Sequence, residues 1–373
     1  MTAKLWGMPG SLYTARARSY LIKQHFGFEE AIPGDPGWPE VTKAVGRWII
    51  PVLQLTDGTL IQDGVAIIDH VEAQGARRPA YPATPRHRAI AHVFELYGGE
   101  GLLRPAMHYR WDFDDANLDF LRTDFVRALF PGATPEVEAA VFDNASGRMR
   151  RARDGFGVSP ETAGAVEASY HRLLALLDAH LAKHPYLLGG APTLGDYALI
   201  GPLFAHLGRD PYPVAEMQRR AYHVWRWVER MNRPQALLDG YPNEALIADD
   251  GVPETLAALL RFVAGDYLPE LAAHVAFAND WLAARPDLTA GTNGLDTPGA
   301  RAIGKARFDW HGHSIETLVM PYRFWLLDRL QAALTPEGKA LLEETGLGAL
   351  ATLRTSRPVE RVDNLEVWGA AQN

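Results

Sequence analysis

The sequence predicts an α+β fold, with a small α/β unit at the N-terminus and a longer, mostly helical region after it. Three observations carry this prediction. Within the first 75 residues, "IIPVLQLTDGTLIQDGVAIIDHVEAQG" sets Asp57-Gly58 between two apolar runs, Ile49 to Leu55 and Thr59 to Ile61. That dipeptide is the strongest short hairpin signal. Beyond residue 85, apolar residues recur at helical spacing in nearly every segment. Between the two regions lies "ARRPAYPATPRHR", a short polar span with three prolines that reads as a linker.

The elements follow in order. "AKLWGM", residues 3 to 8, reads as a short buried strand ended by Pro9 and Gly10. From Ser11 to about His25, Leu12, Ala15, Tyr20, Leu21 and Ile22 sit at near-helical spacing. "FEEAIP" reads as a second strand, the Asp57-Gly58 hairpin follows, and a helix runs from about Gly64 to Ala73. Helices are expected over roughly 85–108, 117–129, 135–154, 160–183, 193–207, 215–231, 252–284, 301–332 and 336–345. Residues 285–301 form a turn-rich loop, and the tail ends in strand-like alternation. The expected domains are 1–75, a linker at 76–84, a helical domain at 85–245 and a mostly helical C-terminal extension at 246–373.

Bulk properties narrow the function classes. With 373 residues, 47% hydrophobic and 22% charged, the chain can bury a large core. A formal charge of −8 argues against a nucleic-acid partner, which favours a basic surface. No run of about 18 apolar residues is present to span a membrane. The start "MTAKLWGMPG" lacks the form of a secretion signal, so a cytoplasmic protein is expected. The absence of cysteine removes disulfides, thiolate metal ligands and a cysteine nucleophile.

Four stretches carry a resemblance. "SLYTARARSYL" places a serine five residues before the first arginine of R-x-R. In "IIPVLQLTDGTLIQDGVAIIDHVE" a proline opens an apolar strand that leads through a hairpin into a helix. "YLLGGAPTLGDYAL" contains a capping box, in which Asp196 reaches back to the Thr193 N–H. "VWRWVERMNRPQA" reads W-x-x-R-M-x-R-P from Trp227 to Pro234. Together, over about residues 3–75 and 160–240, these resemble the serine-type members of the glutathione S-transferase superfamily. The resemblance implies a thioredoxin-like N-terminal domain, an all-helical second domain, glutathione as co-substrate and a homodimer. The chain departs from the family pattern in three places. Asp63-Gly64 stands where the family has Glu-Ser or Gln-Ser, residues 100–160 exceed the usual helical hairpin, and residues 245–373 have no counterpart.

The chemistry expected at the opening stretch concerns a thiol brought by the substrate. Lowering a thiol pKa from about 8.5 by about two units needs ~2.7 kcal/mol of preference for the thiolate. A hydroxyl hydrogen bond to the charged sulfur supplies roughly 1.5–3 kcal/mol, and a helix first turn adds ~0.3–1 kcal/mol. Ser11 has the right residue type and place to be that donor, although serine is also a common helix cap. Tyr13 competes as a donor, a tyrosine packed on the sheet being the plainer reading.

The resemblance further implies the Ile50 backbone and Pro51 at the cysteinyl group and Asp63 at the γ-glutamyl amine, with Gln62 as a neighbour open to either role. Pro51 itself reads as a trans proline at a strand edge or as a cis proline that turns the Ile50 backbone outward, the former being the plainer reading. Arg47 or Lys43 is placed to pair with the glycyl carboxylate, against the commoner reading of surface salt bridges. His108, Tyr109 and Trp111 are candidates for a pocket taking a flat apolar electrophile, against a plain packing role. "RMRRARD", residues 148 to 154, reads as a solvated helix face. His311 and His313 with Asp309 lack a third spaced ligand, so no metal site is expected. The functional expectation is therefore a transferase adding glutathione thiolate to an apolar or aromatic electrophile. The alternatives are a glutathione-dependent isomerase or lyase, and a non-catalytic scaffold on the same fold.

Overall fold

The computed structural model describes residues 2–235, 238, 240–297 and 299–371; Ala236, the last residue of the "VWRWVERMNRPQA" stretch, lies outside them. The N-terminal unit runs β1 (Ala3–Trp6), α1 (Leu12–Lys23), β2 (Phe28–Ala31), α2 (Trp38–Val45), β3 (Val52–Gln54), β4 (Leu60–Gln62) and α3 (Gly64–Ala73). Its sheet has the order β2-β1-β3-β4, with β1 parallel to β2 and antiparallel to β3. Alternation along the strands divides two cores. Leu5 and Leu53 face α1 and α3, whereas Trp6 and Val52 face Trp38, Val41 and Val45 of α2. The sequence reading missed α2. Its signals were a proline at the first turn and Gly46 closing it at φ 85°. The Ile50–Pro51 bond is cis, not trans as the plainer reading had it.

The helical region comprises α4 (Pro85–Leu96), α5 (Leu103–Trp111), α6 (Asp114–Leu129), α7 (Pro135–Asp154), α8 (Ala163–Leu181), α9 (Leu194–Ala205), α10 (Pro211–Arg220), α11 (Tyr222–Met231), α12 (Glu254–Asp266) and α13 (Leu268–Ala283). Three expected helices are broken. Residues 85–108 are interrupted by a π-turn at Tyr97–Gly101, the 215–231 segment breaks at Ala221, and 252–284 breaks at Tyr267 ahead of Pro269. None of the described helices is long and apolar enough to cross a membrane.

The largest correction concerns residues 301–332, expected as one helix. They form a hairpin, β5 (Gly304–Trp310) and β6 (His313–Val319), and then α14 (Tyr322–Ala333). Ala306, Phe308 and Trp310 alternate with exposed residues, as do Ile315, Thr317 and Val319, and His311-Gly312 turns the chain at positive φ. Period two, not 3.6, governs this stretch. After α15 (Pro336–Glu344), the tail forms β7 (Val359–Val362) and β8 (Leu365–Trp368), turned by Asp363 and Asn364, both at positive φ.

Two contacts fix the N-terminal unit on the helices. α1 packs against α9, where a Cβ on Gly201 would meet the Leu12 carbonyl at 2.9 Å. The Ser19 hydroxyl donates to the Met231 carbonyl at 2.8 Å. The expected capping box is present at α9. Asp196 is fully buried, and its Oδ2 accepts the Thr193 N–H at 2.9 Å while its Oδ1 accepts from Leu187 N and Trp227 Nε1. The C-terminal segment joins this body directly, since α14 and α15 pack on α4 and β7–β8 lies against the N-terminal unit.

Candidate active site

A cavity of about 520 Å³ opens where the N-terminal unit, the helices and the C-terminal segment meet. Its position follows from Arg110 on α5. That buried guanidinium makes a bidentate pair with Asp210 at 2.7 Å, and it donates to the Gly10 carbonyl at 2.9 Å and the Ala205 carbonyl at 2.8 Å. Charge-assisted, two-pronged bonds of this kind are strong and geometrically specific. They tie the Pro9-Gly10 turn to the helices, and with it the start of α1.

Ser11 is the N-cap of α1. Ser11 lines the cavity, and its Oγ accepts the Thr14 N–H at 3.2 Å, an interaction that does not use the hydroxyl proton. Tyr13 lines the same wall. Burial, reinforced by Glu100, pushes its phenol up to about 12, so it remains a neutral donor at physiological pH. Tyr13 therefore lies in the cavity and not merely against the sheet.

The cavity has two chemically distinct ends. One is apolar, formed by Met8, Trp48, Ile49 and Ile50 from the N-terminal unit, Met107 and Trp111 from α5, Phe125 from α6 and Met149 from α7. The other is polar and charged: Arg47, Gln62 and Asp63 face Arg301, Tyr322, Arg361 and Glu366. Ser11 and Tyr13 line the same space.

Several sequence expectations need correction. His108 and Tyr109 do not line the cavity; His108 bonds to Asp112 at 2.7 Å and to Glu167, and Tyr109 stacks with Phe113 and reaches His171. On a helix, Met107, Arg110 and Trp111 share a face, and residues 108 and 109 fall on the other side. Of that trio only Trp111 belongs to the site. Lys43 is exposed on α2 and lies off the cavity, and Pro51 is buried behind Ile50. Arg148 reaches the cavity and is not simply on a solvated face.

Asp63 lies at the cavity, but its carboxylate is engaged. Oδ1 accepts the Val65 N–H at 2.8 Å as the cap of α3, the Tyr322 hydroxyl is 3.0 Å from Oδ2, and Arg361 Nη1 is 3.3 Å from Oδ1. Gln62 Oε1 accepts from Arg361 Nη2 at 2.7 Å. At Gly64, where the family pattern has serine, a Cβ would lie 3.1 Å from Arg16 Cδ and 3.3 Å from the Tyr13 carbonyl. At this polar end, the residues that the sequence does not point to are Arg301, Tyr322, Arg361 and Glu366 of the C-terminal segment. Their signal was the tail hairpin, in which the two-residue Asp363-Asn364 turn sets Arg361 opposite Glu366 across the strands.

Comparison with known proteins bears on this geometry. The description of a glutathione S-transferase N-terminal domain matches residues 5–79, and that of a C-terminal domain matches residues 147–230. Residues 5–79 and 147–230 carry the two domains of the glutathione S-transferase superfamily. A curated relative, glutathione S-transferase 2 of Saccharomyces cerevisiae, is 25% identical over 236 residues, which span 61% of this chain and 85% of the relative. Among solved structures, the β-etherase LigF of Sphingobium sp. strain SYK-6 is 17% identical, with a TM-score of 0.42 and coverage of 64% of this chain and 97% of that one. Glutathione transferase GSTFuA3 of Phanerochaete chrysosporium is 15% identical, with a TM-score of 0.44 and coverage of 63% and 98%. Neither domain description reaches past residue 230, so the cavity residues Arg301, Tyr322, Arg361 and Glu366 lie outside the matched transferase domains.

Proposed function

We propose that this member of the superfamily binds glutathione in the cavity, holds its sulfur as a thiolate beside Ser11, and delivers it to an apolar electrophile. The observation that carries the reading is the Ser11 hydroxyl, presented at the N-terminus of α1 on the wall of a cavity whose other end is apolar. In this reading the thiol proton leaves for solvent as the S⁻ is stabilised by the Ser11 O–H and the first-turn N–H groups of α1. The S–C bond then forms at the electrophile. Its leaving group departs with the bonding electron pair or, for an addition, the adjacent carbon takes up a proton. Trp111, Met107, Phe125 and Met149 would hold the electrophile by apolar contact, and Ile50 would flank the cysteinyl group from its place in the wall.

The test is calorimetric titration of glutathione into wild type and Ser11→Ala in buffers of differing ionisation enthalpy across neutral pH. Wild type should release close to one proton on binding and Ser11→Ala distinctly less. Equal proton release by both would remove Ser11 from the chemistry. The engagement of Asp63 by Arg361 favours a second reading, a non-catalytic binding protein on the same fold. Failure of wild type to bind millimolar glutathione would decide for that reading.

A further inference from the structure

We propose that the C-terminal segment turns the polar end of this cavity into an anion site that does not read a ligand's amino group. Thiols bearing carboxylates, with their amine acylated or absent, would then bind about as well as glutathione. This rests on the reading of the cavity as a glutathione site and specifies what that site recognises.

The first observation is the state of Asp63, which is the carboxylate a ligand ammonium would need. It is 6% exposed, caps α3, accepts from Tyr322 and faces Arg361. Arg361 is not a loose side chain. Its Nη2 donates to Gln62, its Nε lies 3.4 Å from Glu366 Oε1, and its guanidinium sits over the rings of Tyr322 and Trp325 at 5.7 and 5.4 Å. The strand pair that carries it is rooted by Trp368, which is buried and stacks on Trp281, and by the Val359 N–H bond to Asp328. An entering ammonium would exchange one charge-assisted pair for another and leave Arg361 with Glu366 as its one remaining carboxylate here, so the amine gains little there.

The second observation is the charge left over. Around this end of the cavity three guanidinium groups, Arg47, Arg301 and Arg361, face two carboxylates, Asp63 and Glu366. Arg301 approaches Glu366 only through Nε, at 3.7 Å, and its side chain is one-third exposed at the cavity. Arg47 has all three of its guanidinium nitrogens shielded from solvent without a hydrogen-bond partner. A shielded, uncompensated cation is costly, and an anion brought beside it lowers that cost. Arg301 is the group placed to touch that anion, and Arg47 adds to the field behind it.

The experiment uses the full chain and three probes titrated by calorimetry: glutathione, glutathione acetylated on its amine, and the diethyl ester of glutathione. Acetylation should change Kd by less than about threefold, while esterification and the Arg301→Gln variant should each weaken binding about tenfold or more, the scale of one lost charge-assisted contact. Arg361→Gln, checked for unchanged secondary structure by circular dichroism, should free Asp63 and restore a preference of about tenfold for the free amine. If glutathione binds and acetylation alone costs wild type about tenfold or more, the inference falls and the glutathione reading stands. If none of the three probes binds at millimolar concentration, both fall together.

Discussion

Arg323 offers the sharpest test of how the C-terminal segment is locked to the rest of the protein. It is fully buried at the start of α14, next to Tyr322, and donates to Glu270 Oε1 at 2.9 Å, His274 Nδ1 at 2.5 Å and Glu100 Oε2 at 3.2 Å. Glu270 has a second cation in Arg104, at 2.5 Å. Burial would raise the Glu270 carboxyl, yet Arg104 and Arg323 hold it down at about 2. Glu100, in the π-turn, is less well served: burial pushes its carboxyl up, with Arg323 the foremost group opposing. Replacing Arg323 by Met therefore strands Glu100, and the expected loss is ~3–5 kcal/mol, the usual cost of a buried charge that loses its partner. Glu100 would lessen that loss by taking up a proton. A carboxyl raised in the folded state stabilises the fold below its unfolded value, and this stabilisation is lost as pH rises through the folded value. The destabilisation by Arg323→Met should thus be smaller at pH 5 than at pH 8, and adding Glu100→Gln should recover a large part of it. Urea unfolding of wild type, both single variants and the double variant at the two pH values measures this. Additive losses with no pH dependence would show that Arg323 acts through packing alone.

Three further outcomes are expected. Gly64→Ser, which restores the residue common in the superfamily, should lower stability by ~1 kcal/mol or more and bring no tighter glutathione binding, because its Cβ would press on Arg16 and the Tyr13 carbonyl; thermal melts and titration check both halves. Asp196→Ala should cost ~3 kcal/mol or more by orphaning the Leu187 and Thr193 N–H groups and the Trp227 indole, measured by chemical denaturation. Wild type should lose stability relative to Tyr13→Phe as pH rises from about 10 to about 12, since the Tyr13 phenol ionises freely only when unfolded; unchanged relative melting temperatures across that range would place the phenol in water.

Legibility in the sequence depended on how local the determining signal was. The N-terminal unit was readable because hairpin, helix caps and strand alternation are set by residues a few positions apart. The Asp57-Gly58 turn and the helix beginning at Gly64 appear as expected. α2 escaped because it is only eight residues long and starts amid prolines and glycines. The hairpin at 304–319 escapes a helical-period reading because its buried residues alternate with period two. For the site, the presence of Ser11, Tyr13, Arg47, Ile50, Gln62, Asp63 and Trp111 at one cavity was legible through the family motifs. The exclusion of His108 and Tyr109 was not, because their neighbours on other helices decide which face of α5 meets the cavity.

The sequence by itself determined the superfamily, the order of the α/β and helical units, the absence of any cysteine chemistry, and the serine at the head of the first helix. Only the tertiary structure decided what surrounds that serine. Arg361 and Tyr322 meet Asp63 across separations of about 300 and 260 residues, and no pattern of nearby residues encodes such a contact. It arises because Trp368, Phe324 and their neighbours bury apolar surface in the common core, and that burial carries the charged faces of β7–β8 and α14 onto the open end of the cavity.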